Sequence, residues 1–94
     1  MQTVREWYSD IYDEAASMGV DILDYDIERG QYIDTRYTQT VAAMAETAYC
    51  DHGYSSSLGI DAEYFLAGNI DSNEFLDSVD SYFLEMLRDA APHN

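Results

Sequence analysis

Nineteen acidic residues stand against four arginines and no lysine, giving a formal charge of −15. Nearly every carboxylate must therefore keep its contact with water. Enclosing a charge without a partner costs several kcal/mol, so the chain has to be assembled from elements that are apolar on one side only. The apolar material for this is present: 47% of residues are hydrophobic and 14% aromatic, well above a charge-swollen disordered segment. At 94 residues the expectation is a single acidic domain, since domains usually hold about 100 residues or more.

The same charge excludes several functions. Neutralising phosphates requires Lys and Arg, and only Arg5, Arg29, Arg36 and Arg88 are available, so direct nucleic-acid binding is not expected. Attraction to anionic lipid fails for the same reason, and no apolar run approaches the roughly 20 residues of a membrane span. Met1–Glu6 lacks a cationic segment followed by an apolar one, which points to a soluble protein of the cytoplasm. One cysteine, Cys50, cannot form an internal disulfide.

Apolar periodicity organises the rest. Val4, Trp7, Tyr8, Ile11, Tyr12, Ala15 and Met18 predict one helix over residues 3–18, opened by a Thr3/Glu6 capping box and closed by Gly19. Its opposite face carries Glu6, Asp10, Asp13 and Glu14. Residues 20–29 read as a short helix, with a hairpin folding Tyr25–Ile27 onto Tyr32–Ile33 as the competing arrangement and Arg29-Gly30 as a turn. Asp34 is the expected N-cap of a helix carrying Tyr37, Val41, Met44, Ala45 and Ala48, followed by a loop over residues 50–57. Asp61 and Asp71 read as N-caps of two further helices, 62–67 and 72–91, the second stopped by Pro92. Ile60/Phe65 and Ile70/Phe75 pair as hydrophobic staples, and Glu74 completes a capping box. The fold class expected is mainly α, a compact bundle of four to five helices, with a small β-hairpin near residues 25–33 as the α+β alternative. Trp7, Ile11, Val41, Met44, Phe75, Val79, Phe83 and Leu87 form its expected core.

No catalytic constellation stands out. Cys50-x-His52 lacks a third orienting group. Asp24-x-Asp26-x-Glu28-x-Gly30 resembles the start of a calcium loop, but Arg29 occupies the position that needs Gly and Thr35 the position that needs a bidentate Glu. No metal or cofactor is expected.

What remains is the acidity itself, which destabilises a folded chain through self-repulsion. In the last helix Asp71, Glu74, Asp77, Asp80, Glu85 and Asp89 oppose the apolar arc. Acids three residues apart are separated by roughly 4.5 Å along the axis, against roughly 3.4 Å between phosphates on one DNA strand. A second acidic run, Asp21, Asp24, Asp26 and Glu28, lies in the middle segment. Such a surface can occupy the basic groove of a nucleic-acid-binding protein, with carboxylates in place of phosphates. Nine tyrosines exceed what a core this small can bury with their hydroxyls satisfied. Tyr8, Tyr12, Tyr37 and Tyr82 fall in apolar stripes, whereas Tyr25, Tyr32 and Tyr54 are candidate interface residues.

In size, lack of lysine and acid-lined helices the chain resembles the small acidic DNA-mimic inhibitors of bacteriophages and mobile elements, including Ocr-type anti-restriction proteins and several anti-CRISPR proteins. The resemblance implies stoichiometric, non-enzymatic inhibition of a host defence protein, a CRISPR effector complex or restriction enzyme, in the bacterial cytoplasm. Asp21, Asp24, Asp26, Glu28, Asp71, Glu74, Asp77 and Asp80 would replace phosphates. Nuclease-toxin immunity proteins and acidic adaptors share this size and charge, and adaptation to high salt also favours acids over lysine. Composition leaves these alternatives open, along with the choice between monomer and dimer.

Overall fold

A computed structural model describes residues 3–91. It is mainly α: five helices and one antiparallel hairpin follow one another as α1 (Val4–Trp7), α2 (Ser9–Ser17), β1 (Val20–Asp26), β2 (Gln31–Tyr37), α3 (Val41–His52), α4 (Ser57–Leu66) and α5 (Ser72–Ala90). The packing divides into two units, one of residues 3–38 with 83–91 and one of residues 39–82.

In the first unit the capping box is present, with Thr3 Oγ1 accepting from the Glu6 backbone N–H and Glu6 reaching back to Thr3. The expected single helix is interrupted at Tyr8, whose backbone leaves the helical region at φ −114°, ψ 30°. This break rotates the apolar stripe. Tyr8 turns inward, and Trp7, expected in the core, is 48% exposed. Gly19 takes the left-handed conformation expected of it, φ 80°.

Residues 20–29 do not form a helix. Val20–Asp26 pairs with Gln31–Tyr37, a longer hairpin than the alternative over residues 25–33. Asp21, Asp24 and Asp26 are weak helix formers, while Val20, Ile22 and Tyr25 suit a pleated surface. Gly30, at φ 64°, closes the turn, its N–H donating to the Asp26 carbonyl at 2.8 Å. Ile22 lies opposite Thr35 and Tyr25 opposite Tyr32, with an irregularity between them where Asp24 faces Asp34. Because this irregularity takes the same number of residues from both strands, the register is regained while the inward phase shifts. Val20 and Ile22 point inward before it and Tyr25 after it. β1 packs on α2, and Ile11, Tyr12, Ala15 and Met18 of the α2 segment are buried in this unit, as are Phe83 and Leu87 of α5.

Asp34, the expected helix N-cap, is a strand residue. The helix begins six residues later, where Thr40 Oγ1 accepts from the Ala43 N–H at 3.1 Å. In the second unit α3 runs on to His52, so the expected loop over residues 50–57 shortens to residues 53–56. Ser56, not Asp61, caps α4. Asp61 lies inside that helix and accepts a 2.6 Å hydrogen bond from Ser78 Oγ. The Ile60/Phe65 staple is therefore displaced from the helix start. Phe65 instead stacks on Phe75 at 5.5 Å. The cap at Asp71 is as expected, its carboxylate accepting from the Glu74 N–H at 2.9 Å. The stop expected at Pro92 lies outside the described residues. Met44, Ala45, Ala48, Leu58, Ala62, Phe75 and Val79 are buried here, while Val41 is half-buried.

Small residues set how closely the elements of this unit approach. A Cβ added to Gly59 would fall well inside contact distance of the Gly53 backbone, and backbone cannot move aside as a flexible side chain can. Gly59→Ala is therefore expected to lower the unfolding free energy by at least about 1–3 kcal/mol, the usual cost of overpacking, read from urea denaturation. An unchanged midpoint would show that the 53–56 loop does not rest on α4.

Candidate functional site

The acids singled out by sequence fall into two sets that the structure treats differently. In the hairpin, Asp21 is matched by arginine twice, with Arg36 Nη2 at 2.8 Å and Arg5 Nη2 at 3.3 Å. Arg5 also lies over the Tyr12 ring, 5.2 Å from its centroid. Asp26 holds the turn, pairing with the Arg29 guanidinium at 3.5 Å and accepting from the Arg29 N–H at 3.2 Å. Arg88, from α5, donates through Nε to the Gly30 carbonyl at 2.8 Å. All four arginines are thus directed onto this one unit.

Asp24 and Glu28 are exposed and receive none of these cations. Asp24 faces Asp34 directly across the ladder. Residues so placed have Cβ atoms roughly 5 Å apart, and like charges there repel. Beside them Leu23 is 44% and Ile33 62% exposed.

The second set lies on α5 in the unit of residues 39–82. Asp71, Glu74 and Asp77 are exposed and Asp80 is half-buried. A step of three residues turns a helix by roughly −60°, so this row winds around the cylinder, and Asp80 ends on the flank of the apolar arc. Asp71 is engaged by its cap. Glu74 and Asp77 stand on the solvent face. The unit adds Glu46, Asp51, Asp61 and Glu63, and residues 39–82 contain no Lys or Arg at all.

Tyr25, expected at an interface, is a core residue: only 3% exposed, it meets Tyr8 edge-on at 6.2 Å and Tyr32 at 6.3 Å. The phase shift in β1 turns it inward. Tyr32 is half-buried. Of the three, Tyr54 is the one left open to solvent, 66% exposed, with its hydroxyl donating to Glu63 Oε1 at 2.8 Å and its ring edge-on to Tyr49. The Glu63 carboxylate beside it raises its pKa by stabilising the protonated phenol. Tyr37, expected in the core, is 39% exposed on β2.

Cys50 is exposed, and the His52 ring packs edge-on against Tyr82 at 5.1 Å. A groove of about 410 Å³ runs between Arg5, Glu6, Ser9, Tyr12 and Asp13, but Glu6 serves the cap and Arg5 serves Asp21. Among the described residues no group of three His, Cys, Asp or Glu is placed to hold a metal, and no helix is long and apolar enough to cross a membrane. No family model, curated protein or solved structure matches the chain.

Sequence reasoning missed Leu23, Ile33 and Asp34, because their exposure depends on the irregular pairing. It also missed the cation-free stretch of residues 37–87, which was readable from the arginine positions alone.

The phenols of Tyr8 and Tyr25 are buried with no hydrogen-bond partner among the described residues. Desolvation raises both above the usual value of 10.0. The stability tied to their neutral forms is fully present below pH about 10 and lost as pH climbs toward the folded-state values. Tyr25→Phe is expected to leave stability at pH 7 unchanged or raised, because an unpartnered buried hydroxyl costs about 1–3 kcal/mol. It should also reduce the alkaline loss above pH 10, as measured by denaturant unfolding across that range. A large loss at pH 7 would reveal a hydrogen-bond partner for the hydroxyl.

Proposed function

We propose that this chain is a stoichiometric inhibitor of a bacterial nucleic-acid-binding defence protein, a CRISPR effector complex or a restriction enzyme, acting by DNA mimicry in the host cytoplasm. It works as a binder, not an enzyme. The observation that carries the reading is the unit of residues 39–82, with eight acids and no Lys or Arg. Glu46, Asp51, Asp71, Glu74 and Asp77 are exposed there.

An exposed array of like charges raises the free energy of the folded state within a Debye length of roughly 8–10 Å. A basic groove evolved to hold phosphates relieves that repulsion and releases its own counterions, and steering by the field accelerates the encounter. Carboxylates on a helix suit this role because the backbone fixes their spacing before the partner arrives. A nuclease-toxin immunity protein would use the same electrostatics, with the toxin's nucleic-acid site as its target.

The test is affinity capture of purified candidate defence complexes at low and high salt, with and without competing duplex DNA. Mimicry requires that a nucleic-acid-binding complex be held and that both DNA and salt displace it. A complex held in the presence of saturating DNA would place inhibition elsewhere on the target. Joint reversal by Glu74→Lys and Asp77→Lys is expected to weaken that binding several-fold and flatten its salt dependence, with helical content by circular dichroism unchanged. Equal binding would remove this face of α5 from the site.

A further inference from the structure

The hairpin carries a feature that phosphate mimicry alone does not use. Leu23 and Ile33 lie on opposite strands between the inward pairs Ile22/Thr35 and Tyr25/Tyr32, and both are left in water. Beside them Asp24 faces Asp34. Neither aspartate takes an arginine among the described residues: Arg5 and Arg36 are committed to Asp21, Arg29 to Asp26 and Arg88 to Gly30. Exposed aliphatics and a like-charge cross-strand pair each disfavour an isolated hairpin. Here they occupy the same few residues of an otherwise well-anchored element.

One kind of occupant relieves both costs. We infer that the exposed stretch of the hairpin, where Leu23 and Ile33 flank the Asp24/Asp34 rung, docks a basic protein segment that presents arginine or lysine beside aliphatic or aromatic side chains. A cation between the two carboxylates replaces their repulsion with attraction, and apolar side chains beside it cover Leu23 and Ile33. A second copy of this chain is the wrong partner. A two-fold contact through this face would set Asp24 and Asp34 against their own counterparts. Nucleic acid and anionic lipid are repelled outright.

This inference rests on the proposal that the acidic surface engages a basic protein, and it divides the labour within that contact. Charge supplies approach and a salt-sensitive affinity. The two aliphatics supply a salt-insensitive part, which distinguishes one basic partner from the many that charge alone would accept.

The experiment is a titration of the isotope-labelled protein, followed by NMR, with two synthetic probes: a short peptide alternating Arg and Leu, and its counterpart alternating Arg and Ser. The Arg–Leu peptide is expected to bind about tenfold or more tightly than Arg–Ser, a difference of about 1.4 kcal/mol, with shifts centred on residues 21–26 and 31–36. Leu23→Ser with Ile33→Ser should abolish that preference while leaving Arg–Ser affinity unchanged. A second variant guards against misfolding. Asp24→Asn with Asp34→Asn should raise the unfolding midpoint, because the repulsion is gone, and weaken both peptides. Equal affinity for the two peptides, or shifts confined to residues 71–82, would overturn the docking face and leave the acidic-surface reading standing. Failure of both peptides to bind at low salt would overturn both.

Discussion

Carboxylates that outnumber cations cannot be paired, so they must be solvated, and the rest of this structure follows from that limit. No charged or polar residue is fully buried among the described residues. Each element is left with one side to bury. In α5 the inward side is Phe75, Val79, Phe83 and Leu87, all fully buried, while Glu74, Asp77, Glu85 and Asp89 remain exposed. With so little inward surface per element, close approach replaces bulk. Ala15, Ala45, Ala48 and Ala62 are fully buried, and Gly59 lets a loop backbone lie against α4. Tight packing of small side chains recovers dispersion energy that a larger core would draw from sheer area.

The parts of the fold legible in the sequence are those whose cause is local. The Thr3/Glu6 capping box, the Asp71 cap, the left-handed Gly19 and the stripe of α5 each depend on residues within about one helical turn of one another. The misread parts depend on a partner distant in sequence. Residues 20–29 read as a short helix in isolation, and the competing strand pattern prevails only when Gln31–Tyr37 supplies the other half of the ladder. Once that strand forms, Asp34 is no longer free to cap a helix, and Thr40 takes the role. Periodicity alone places Trp7 inside, because the stripe runs unbroken through residues 3–18. Only the break at Tyr8, held by the burial of that ring against Tyr25, takes Trp7 out of phase.

For the candidate site, positions were more legible than roles. The acids of the hairpin and of α5 could be named from spacing, but spacing does not say which of them the arginines reach. Asp21 and Asp26 turn out to organise the hairpin: the first gathers Arg5 and Arg36, and the second fixes the turn through Arg29. Their removal would disturb the element itself, so they are poor reporters of partner binding. Tyr25 illustrates the opposite error. Its place in an acidic run suggests a contact residue, yet a shift of one residue in the inward phase makes it a core ring.

The distribution of charge also bears on why the chain is acidic. Adaptation to a salty solvent requires a high surface density of carboxylates and is indifferent to where they lie, so repulsive placements should be avoided whenever another position costs less. A protein under that demand alone gains nothing from an aspartate opposite an aspartate, nor from Leu23 and Ile33 beside them in water. Nor does it gain from directing all four arginines onto one unit while residues 39–82 keep none. Each of these arrangements costs stability in the isolated chain, and each becomes favourable against a surface of opposite charge that also carries apolar side chains. That shared condition is the physical argument for a specific basic partner over general solubility.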